Sequence, residues 1–262
     1  MSNITDRAAK RNRRAWDAFR QQQDEGLDGP GPRIDPATAT KILAMDISKI
    51  GVGYLSPAQV SKLVGDVSGK RLLDMGCGDG DEMFQWALLG ADVVGVDNSP
   101  KQLEAARDNA DALGISCRFV LADLLHLPDD LLKGEFDIVC SSAVTCWIGD
   151  LARWIRNVCL ALKPGGIFLL SAAHPLTAFA RDVIEGEPNR ESYFLEGPCS
   201  EQIDGTHDEI TTVEWYHTLG SLVTAVGKSD LRITALIEHP GCGNYEGWPG
   251  AFTVRAVKEG QL

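Results

Sequence analysis

The stretch that decides the fold is Arg71-Leu72-Leu73-Asp74-Met75-Gly76-Cys77-Gly78-Asp79-Gly80. Its first half is an apolar run long enough for a buried strand. Its second half sets a glycine at every other position, which predicts a turn with no Cβ to hold a bound molecule away from the main chain. Asp74, just ahead of the turn, puts a carboxylate at the carboxyl end of the strand, the usual ligand position in open α/β sheets. A dinucleotide fingerprint wants G-x-G-x-x-G so that a pyrophosphate can rest on a helix N-terminus. Here the third glycine comes one residue early, and Asp79, Asp81 and Glu82 crowd the turn. An acid-rich loop is a poor cradle for phosphate and a good one for an ammonium or sulfonium centre.

Downstream, strand and helix signals alternate. Asp81 to Leu89 reads as a helix, Ala91 to Val96 as a strand ending in Asp97, and Ser99-Pro100 as the cap of a helix running to Leu113. Cys117 to Leu121 is a strand ending near Asp123, and Phe136 to Cys140 is another. A helix over Leu151 to Leu162 stops at Lys163-Pro164-Gly165-Gly166, before a strand from Ile167 to Ala172. Such alternation predicts one α/β unit, a mostly parallel Rossmann-like sheet with helices on both faces and its strand ends along one edge. Upstream, residues 5–24 read as a charged helix with a narrow apolar patch, a flap on the domain, and Gly26 to Pro36 as a linker or mobile loop. Ser56-Pro57 caps a helix to Val64. We therefore divide the chain into a helical flap and linker over 1–55 and a main domain over 56–262, with a weakly periodic lid insertion at about 175–215. Beyond it, Thr211 to His217 alternates like a strand, Leu219 to Gly227 fits a helix, and Leu231 to Ile237 and Ala251 to Val257 read as two final strands.

Two further acids follow the pattern. Asp97, 21 residues after Gly76, can accept both hydroxyl hydrogens of a ribose, although Asn98, Ser99 and Pro100 also look like plain helix capping. In Leu121-Ala122-Asp123-Leu124 the Asp123 side chain can accept from an exocyclic amine while the next amide donates to a ring nitrogen, a pairing that selects adenine. An acid before a G-x-G-x-G turn, an acid after the second strand and an acid after the third together resemble the class I S-adenosylmethionine-dependent methyltransferases, over roughly Leu72 to Ala172. Lys163-Pro164-Gly165-Gly166 resembles that family's late turn and serves equally as a helix stop. The resemblance implies seven strands, the last antiparallel. It also implies that Asp74 and the backbone around Gly76, Cys77 and Gly78 meet the methionine part of S-adenosylmethionine. Asp97 would take the ribose, Asn98 lie beside the adenine, Asp123 and Leu124 read its edge, and Ser141 face the sulfonium. Position 98 is often apolar in the family, and Asn98 departs from that.

Composition sets the outer bounds. The 262 residues, 44% hydrophobic and 24% charged, suit a soluble globule with a full core. Residues 1–19 carry basic side chains but no apolar run of the secretory kind, so the expected location is cytoplasmic. A net charge of −12 argues against a nucleic-acid backbone as partner, and no run reaches membrane-spanning length. The seven cysteines are scattered, without a C-x-x-C pair, so neither a disulfide framework nor a metal site is expected.

The acceptor side is less marked. After the fourth strand, Ser141-Ser142-Ala143-Val144-Thr145-Cys146-Trp147 lacks the Pro-Pro-aromatic motif of the family's nucleic-acid amino-methyltransferases, which points to methyl transfer to N or O of a small molecule. Trp147 is either the wall of an acceptor pocket or a core residue, and Trp215 and Tyr216 are further wall candidates. His174, directly after the fifth strand, and His217, ending Trp215-Tyr216-His217, are candidate general bases, with structural roles as the alternative. A homodimer is compatible with the sequence. Competing readings are a nicotinamide-dependent oxidoreductase on the same sheet and a non-catalytic cofactor-binding protein.

Overall fold

In the computed structural model, which describes residues 2–25, 34–46, 50–177, 179–180, 192–202, 211–242 and 246–260, the glycine spacing has a backbone cause. Gly76, Gly78 and Gly80 take φ angles of 97°, 52° and 94°, a left-handed region that costs any residue with a Cβ. A Cβ on Gly76 would collide with the Val144 side chain. Strand β1 (Arg71–Met75) therefore ends in a turn that only this spacing permits, and Gly80 starts helix α4 (Asp81–Leu88), preceded in the chain by α1 (Ser2–Asp24), α2 (Pro36–Leu43) and α3 (Pro57–Val64).

The alternation continues as β2 (Asp92–Asp97), α5 (Pro100–Leu113), β3 (Arg118–Leu121), β4 (Phe136–Ser142), α6 (Leu151–Ala161) and β5 (Leu162–Ala173). Strands β6 (Gly197–Gln202) and β7 (Thr211–Tyr216), helix α7 (Leu219–Gly227), and strands β8 (Leu231–Pro240) and β9 (Pro249–Lys258) complete the series. Seven strands form one sheet in the order β3-β2-β1-β4-β5-β9-β8, all parallel through β5, with β9 antiparallel to both neighbours. The expected Rossmann-like sheet, with its last strand antiparallel, is what the chain forms.

Period-two alternation sorts the β1 side chains between two cores. Leu73 and Met75 join Trp154, Ile155 and Val158 of α6 and Leu222 and Val226 of α7. Leu72 faces the opposite way, among Val60, Leu63 and Val64 of α3 and Met83 and Trp86 of α4. Trp86 and Trp154 are fully buried; truncating either to alanine costs about 3–5 kcal/mol.

Three expectations change in detail. The strand expected from Ile167 begins at Leu162, and Lys163 to Gly166 bulges out of it: Phe136 pairs with Leu162, and the next partners are Ile138 and Ile167. Strand β7 does not enter the main sheet but pairs antiparallel with β6 in a separate hairpin. The N-terminal helix runs from Ser2, three residues earlier than its apolar pattern shows. Residues 26–33 of the expected linker, and 181–191 and 203–210 of the expected insertion, lie outside the described residues. Among the described residues no helix is long and apolar enough to cross a membrane.

Candidate functional site

From β1 the chain steps outward to β2 and β3, then returns to β4 on the other side of β1. That reversal opens a crevice at the carboxyl ends of β1 and β4, where doubly wound sheets bind ligands. A cavity of about 240 Å³ occupies it. Gly76 and Gly78 of the turn, Asp97 at the end of β2 and Asn98 after it, and Asp123 and Leu124 after β3 line one side. Val144 and Trp147, from the loop after β4, line the other. Helix α1 forms the roof through Ala9, Asn12, Arg13 and Trp16.

The roof is bolted down. Asn98 Nδ2 donates to the Ala9 carbonyl at 3.0 Å, and Ser99 Oγ donates to Asp17 at 2.6 Å. Arg20, only 1% exposed, binds Asp24 at 2.8 Å and Asp79 in the glycine turn at 3.3 Å. Trp16 meets Trp147 edge-on, with ring centroids 5.4 Å apart. Asn12 reaches β7, its Nδ2 donating to the Val213 carbonyl (2.8 Å) and its Oδ1 accepting from the Val213 amide (2.7 Å).

Asp97 sits where a ribose-binding acid should be. Its Oδ2 accepts from Gly78 N at 3.0 Å and its Oδ1 from Ser99 N at 2.8 Å, leaving lone pairs toward the cavity it lines. Burial raises its pKa, although those amides pull the other way. Asp123 Oδ1 accepts from Leu125 N at 2.9 Å in a local turn, at the same cavity.

Three expected cofactor residues lie elsewhere. Asp74 is the fourth residue of β1, so alternation turns it onto the Leu72 face beneath the glycine turn; it is 4% exposed and absent from the cavity wall. Burial and the nearby Glu82 carboxylate push its pKa to about 8. Cys77, expected to contribute backbone, is absent from the cavity wall, and its amide donates to the Val96 carbonyl at 3.0 Å. Ser141 is 1% exposed and donates to the Met75 carbonyl at 2.6 Å, tying β4 to β1. Ser142, one residue on, lines the cavity in its place and donates to Glu82 at 2.7 Å.

A second cavity, about 210 Å³, lies beyond the loop after β4, and Ala143 lines both. Ala143 is the one described non-glycine residue with positive φ (55°), and its amide donates to the Ser171 carbonyl at 2.9 Å. This strained residue is therefore the partition between two chambers. The second is lined by Cys146, His174, Glu214, Trp215, Tyr216 and His217 among others. Both candidate histidines and two of the three candidate wall aromatics meet there. Trp147 does not: its partner is Trp16, under the α1 roof.

The two histidines differ in tautomer. His217 Nε2 lies 2.7 Å from the Ile148 carbonyl, which can only accept, so Nε2 carries the hydrogen and Nδ1 the lone pair. Burial lowers its pKa, against the pull of that carbonyl and of Glu196, so the ring is neutral at pH 7. His174 Nδ1 accepts from Leu176 N at 3.2 Å, and its Nε2 lies 3.1 Å from Glu238, off the line of a strong hydrogen bond. Its one lone pair is already engaged. Burial lowers its pKa too.

A doubly wound sheet with acids at its switch point, and no phosphate cradle, defines a protein that binds a nucleoside with a cationic tail. Comparison with known proteins agrees. Residues 66–218 match the family described as methyltransferase domain. The chain is 28% identical over 184 residues to a ubiquinone biosynthesis O-methyltransferase of Methylobacterium sp. (strain 4-46), covering 68% of each. It is 38% identical over 108 residues to a ribosomal protein L11 methyltransferase of Azotobacter vinelandii, spanning 40% of this chain and 35% of that one. Among solved structures it superposes on an S-adenosylmethionine-dependent methyltransferase from Mesorhizobium loti with a TM-score of 0.62 at 25% identity, covering 82% and 99% of the two chains. The chain belongs to the methyltransferase-domain family of class I S-adenosylmethionine-dependent enzymes.

The residues present suit that cofactor. Gly78 has open space where a Cβ would stand, so a ligand can lie against its backbone. Asp97 and Asp123 supply acceptors for ribose and adenine at the cavity wall. Sequence reasoning missed Asn12, Arg13 and Trp16 of the roof, and Ser142 and Ala143 of the partition. The apolar patch of α1 signals that the helix packs, but not on what.

Proposed function

We propose that the acceptor is a small molecule, methylated at N or O, that enters the second chamber. The observation carrying this reading is the shared Ala143 partition: two cavities, one with an acid-lined adenosine end and one walled by aromatics and His217, abut at a single residue. S-adenosylmethionine supplies a methyl carbon bound to a sulfonium. Trp215 and Tyr216 hold the flat or apolar part of the acceptor. His217 takes the acceptor proton on Nδ1 as the new bond to carbon forms and the sulfur–carbon bond breaks; the proton then passes to solvent. Most of the rate comes from alignment of the reacting atoms. One relative's name points to a ribosomal protein acceptor, but that match spans only 40% of this chain; a chamber of about 210 Å³ favours a small molecule or a single side chain.

The test is a screen of phenols and amines sized to the second cavity, following S-adenosylhomocysteine release, with His217→Gln as the companion variant. For an accepted substrate, His217→Gln should lower kcat by about 10²–10⁴-fold, with little change in cofactor affinity. The wild-type rate should fall at acid pH with a midpoint below the ordinary histidine value of 6.5, because burial lowers the His217 pKa. That acid limb should vanish in the variant. Wild-type turnover in His217→Gln at every pH would remove the histidine from the mechanism.

A further inference from the structure

The roof helix contributes one side chain whose charge the cavity otherwise lacks. Among the described residues lining the cofactor cavity, Arg13 is the one cation, in a wall that also holds Asp97 and Asp123. Its guanidinium has neither an ion pair nor a hydrogen bond among the described residues, although its neighbours one helical turn away are fixed. Ala9 is held by Asn98, and Trp16 and Asp17 by Trp147 and Ser99. Residues four apart share a helix face, so Arg13 stands on the ridge between those anchors, over the cavity.

The methionyl tail of the cofactor ends in a carboxylate, and the glycine turn has little to offer it. Gly76 N and Cys77 N both donate to the Val96 carbonyl, at 2.8 and 3.0 Å. Gly78 N donates to Asp97 and Gly80 N to the Cys77 carbonyl. The side-chain donors nearby are also engaged: Asn98 with Ala9, Asn12 with Val213, Ser99 with Asp17 and Ser142 with Glu82. What remains on the wall is neutral, the Gln102 amide and two indoles, apart from the Arg13 guanidinium. We propose that Arg13 binds the carboxylate of the methionyl tail and so ties the already seated α1 to the cofactor. This rests on the cofactor assignment above. A planar guanidinium matches a carboxylate in paired hydrogen bonds, so lysine at this position would be a poor substitute. Asn12, the preceding residue, grips β7, so the same helix links the cofactor to the strand that leads to Trp215, Tyr216 and His217.

The test compares two ligands by calorimetric titration: S-adenosylhomocysteine, which has the amino-acid tail, and 5′-methylthioadenosine, which lacks it. Arg13→Ala should weaken S-adenosylhomocysteine about 10- to 100-fold, the range of a charged hydrogen-bonded contact, and leave 5′-methylthioadenosine within about 2-fold. Arg13→Lys should recover part of the loss. Asp97→Ala, as a control on the ribose, should weaken both ligands. Arg13 is exposed and not part of the core, so the variant should melt with the wild type. Equal loss for both ligands would mean that Arg13 only packs the helix, and no loss would mean that it faces elsewhere; either overturns the proposal. Wild-type protein that binds neither ligand would remove the cofactor assignment itself.

Discussion

Asp74 shows how one residue can be read correctly for type and wrongly for direction. The acid before the glycine turn is visible in the sequence, but its face is fixed by the strand register: as a neighbour of Leu73 and Met75, it must point the other way, into the Leu72 core. Ser141 is a similar case, because β4 runs to Ser142 and places the cavity-facing hydroxyl one residue later. Asp97 and Asp123 were legible because one is the last residue of its strand and the other follows its strand, at the sheet edge where ligands bind. The buried Asp74 leads to a prediction about pH. Its carboxyl stays protonated up to about pH 8 in the folded chain and ionises near 3.8 when unfolded. The stability linked to its proton is whole below pH 3.8 and is lost as the pH rises to about 8. Asp74→Asn, which cannot ionise, should therefore out-melt the wild type by a margin that widens across that window and is flat above it. A margin that is constant from pH 4 to 9 would show that Asp74 is not held neutral.

At the scale of elements, the strands of the main sheet and the helices between them follow from apolar periodicity and cap residues, Ser56 at the start of α3 among them, whereas α2 and β6 were not anticipated. The seat of α1 was not legible. Its contacts join residues 59 to 201 positions apart, such as Arg20 with Asp79 and Asn12 with Val213, and no local pattern records them. The pairing of β7 with β6 escaped for the same reason: strand propensity says that a segment is extended, not which neighbour it takes. Asn12 is the sharpest probe of the roof. Replacing it with alanine removes both hydrogen bonds to Val213 and should speed amide exchange across residues 211–216, with a stability loss of about 1–3 kcal/mol. Unchanged exchange in β7 would show that the hairpin stands without α1.

For the whole molecule, the choice between a methyl-donor cofactor and a nicotinamide is decided by binding linkage. S-adenosylhomocysteine at 100 times its Kd should add about 2.7 kcal/mol, a rise of about 5–10 °C in Tm for a chain of 262 residues, and NADH or NADPH should add none. The reverse outcome would contradict the assignment of the switch-point cavity. The sheet order has one more consequence. Strand β9 follows β8 in the chain yet lies between β5 and β8. On the ribosome, where synthesis is slow relative to local folding, β1 to β5 can dock as they emerge, while β8 leaves the exit tunnel with no neighbour to pair with until β9 arrives. The half that holds the adenosine can thus consolidate early, and the far edge stays open to wrong partners, including other nascent copies, until the final strand threads home.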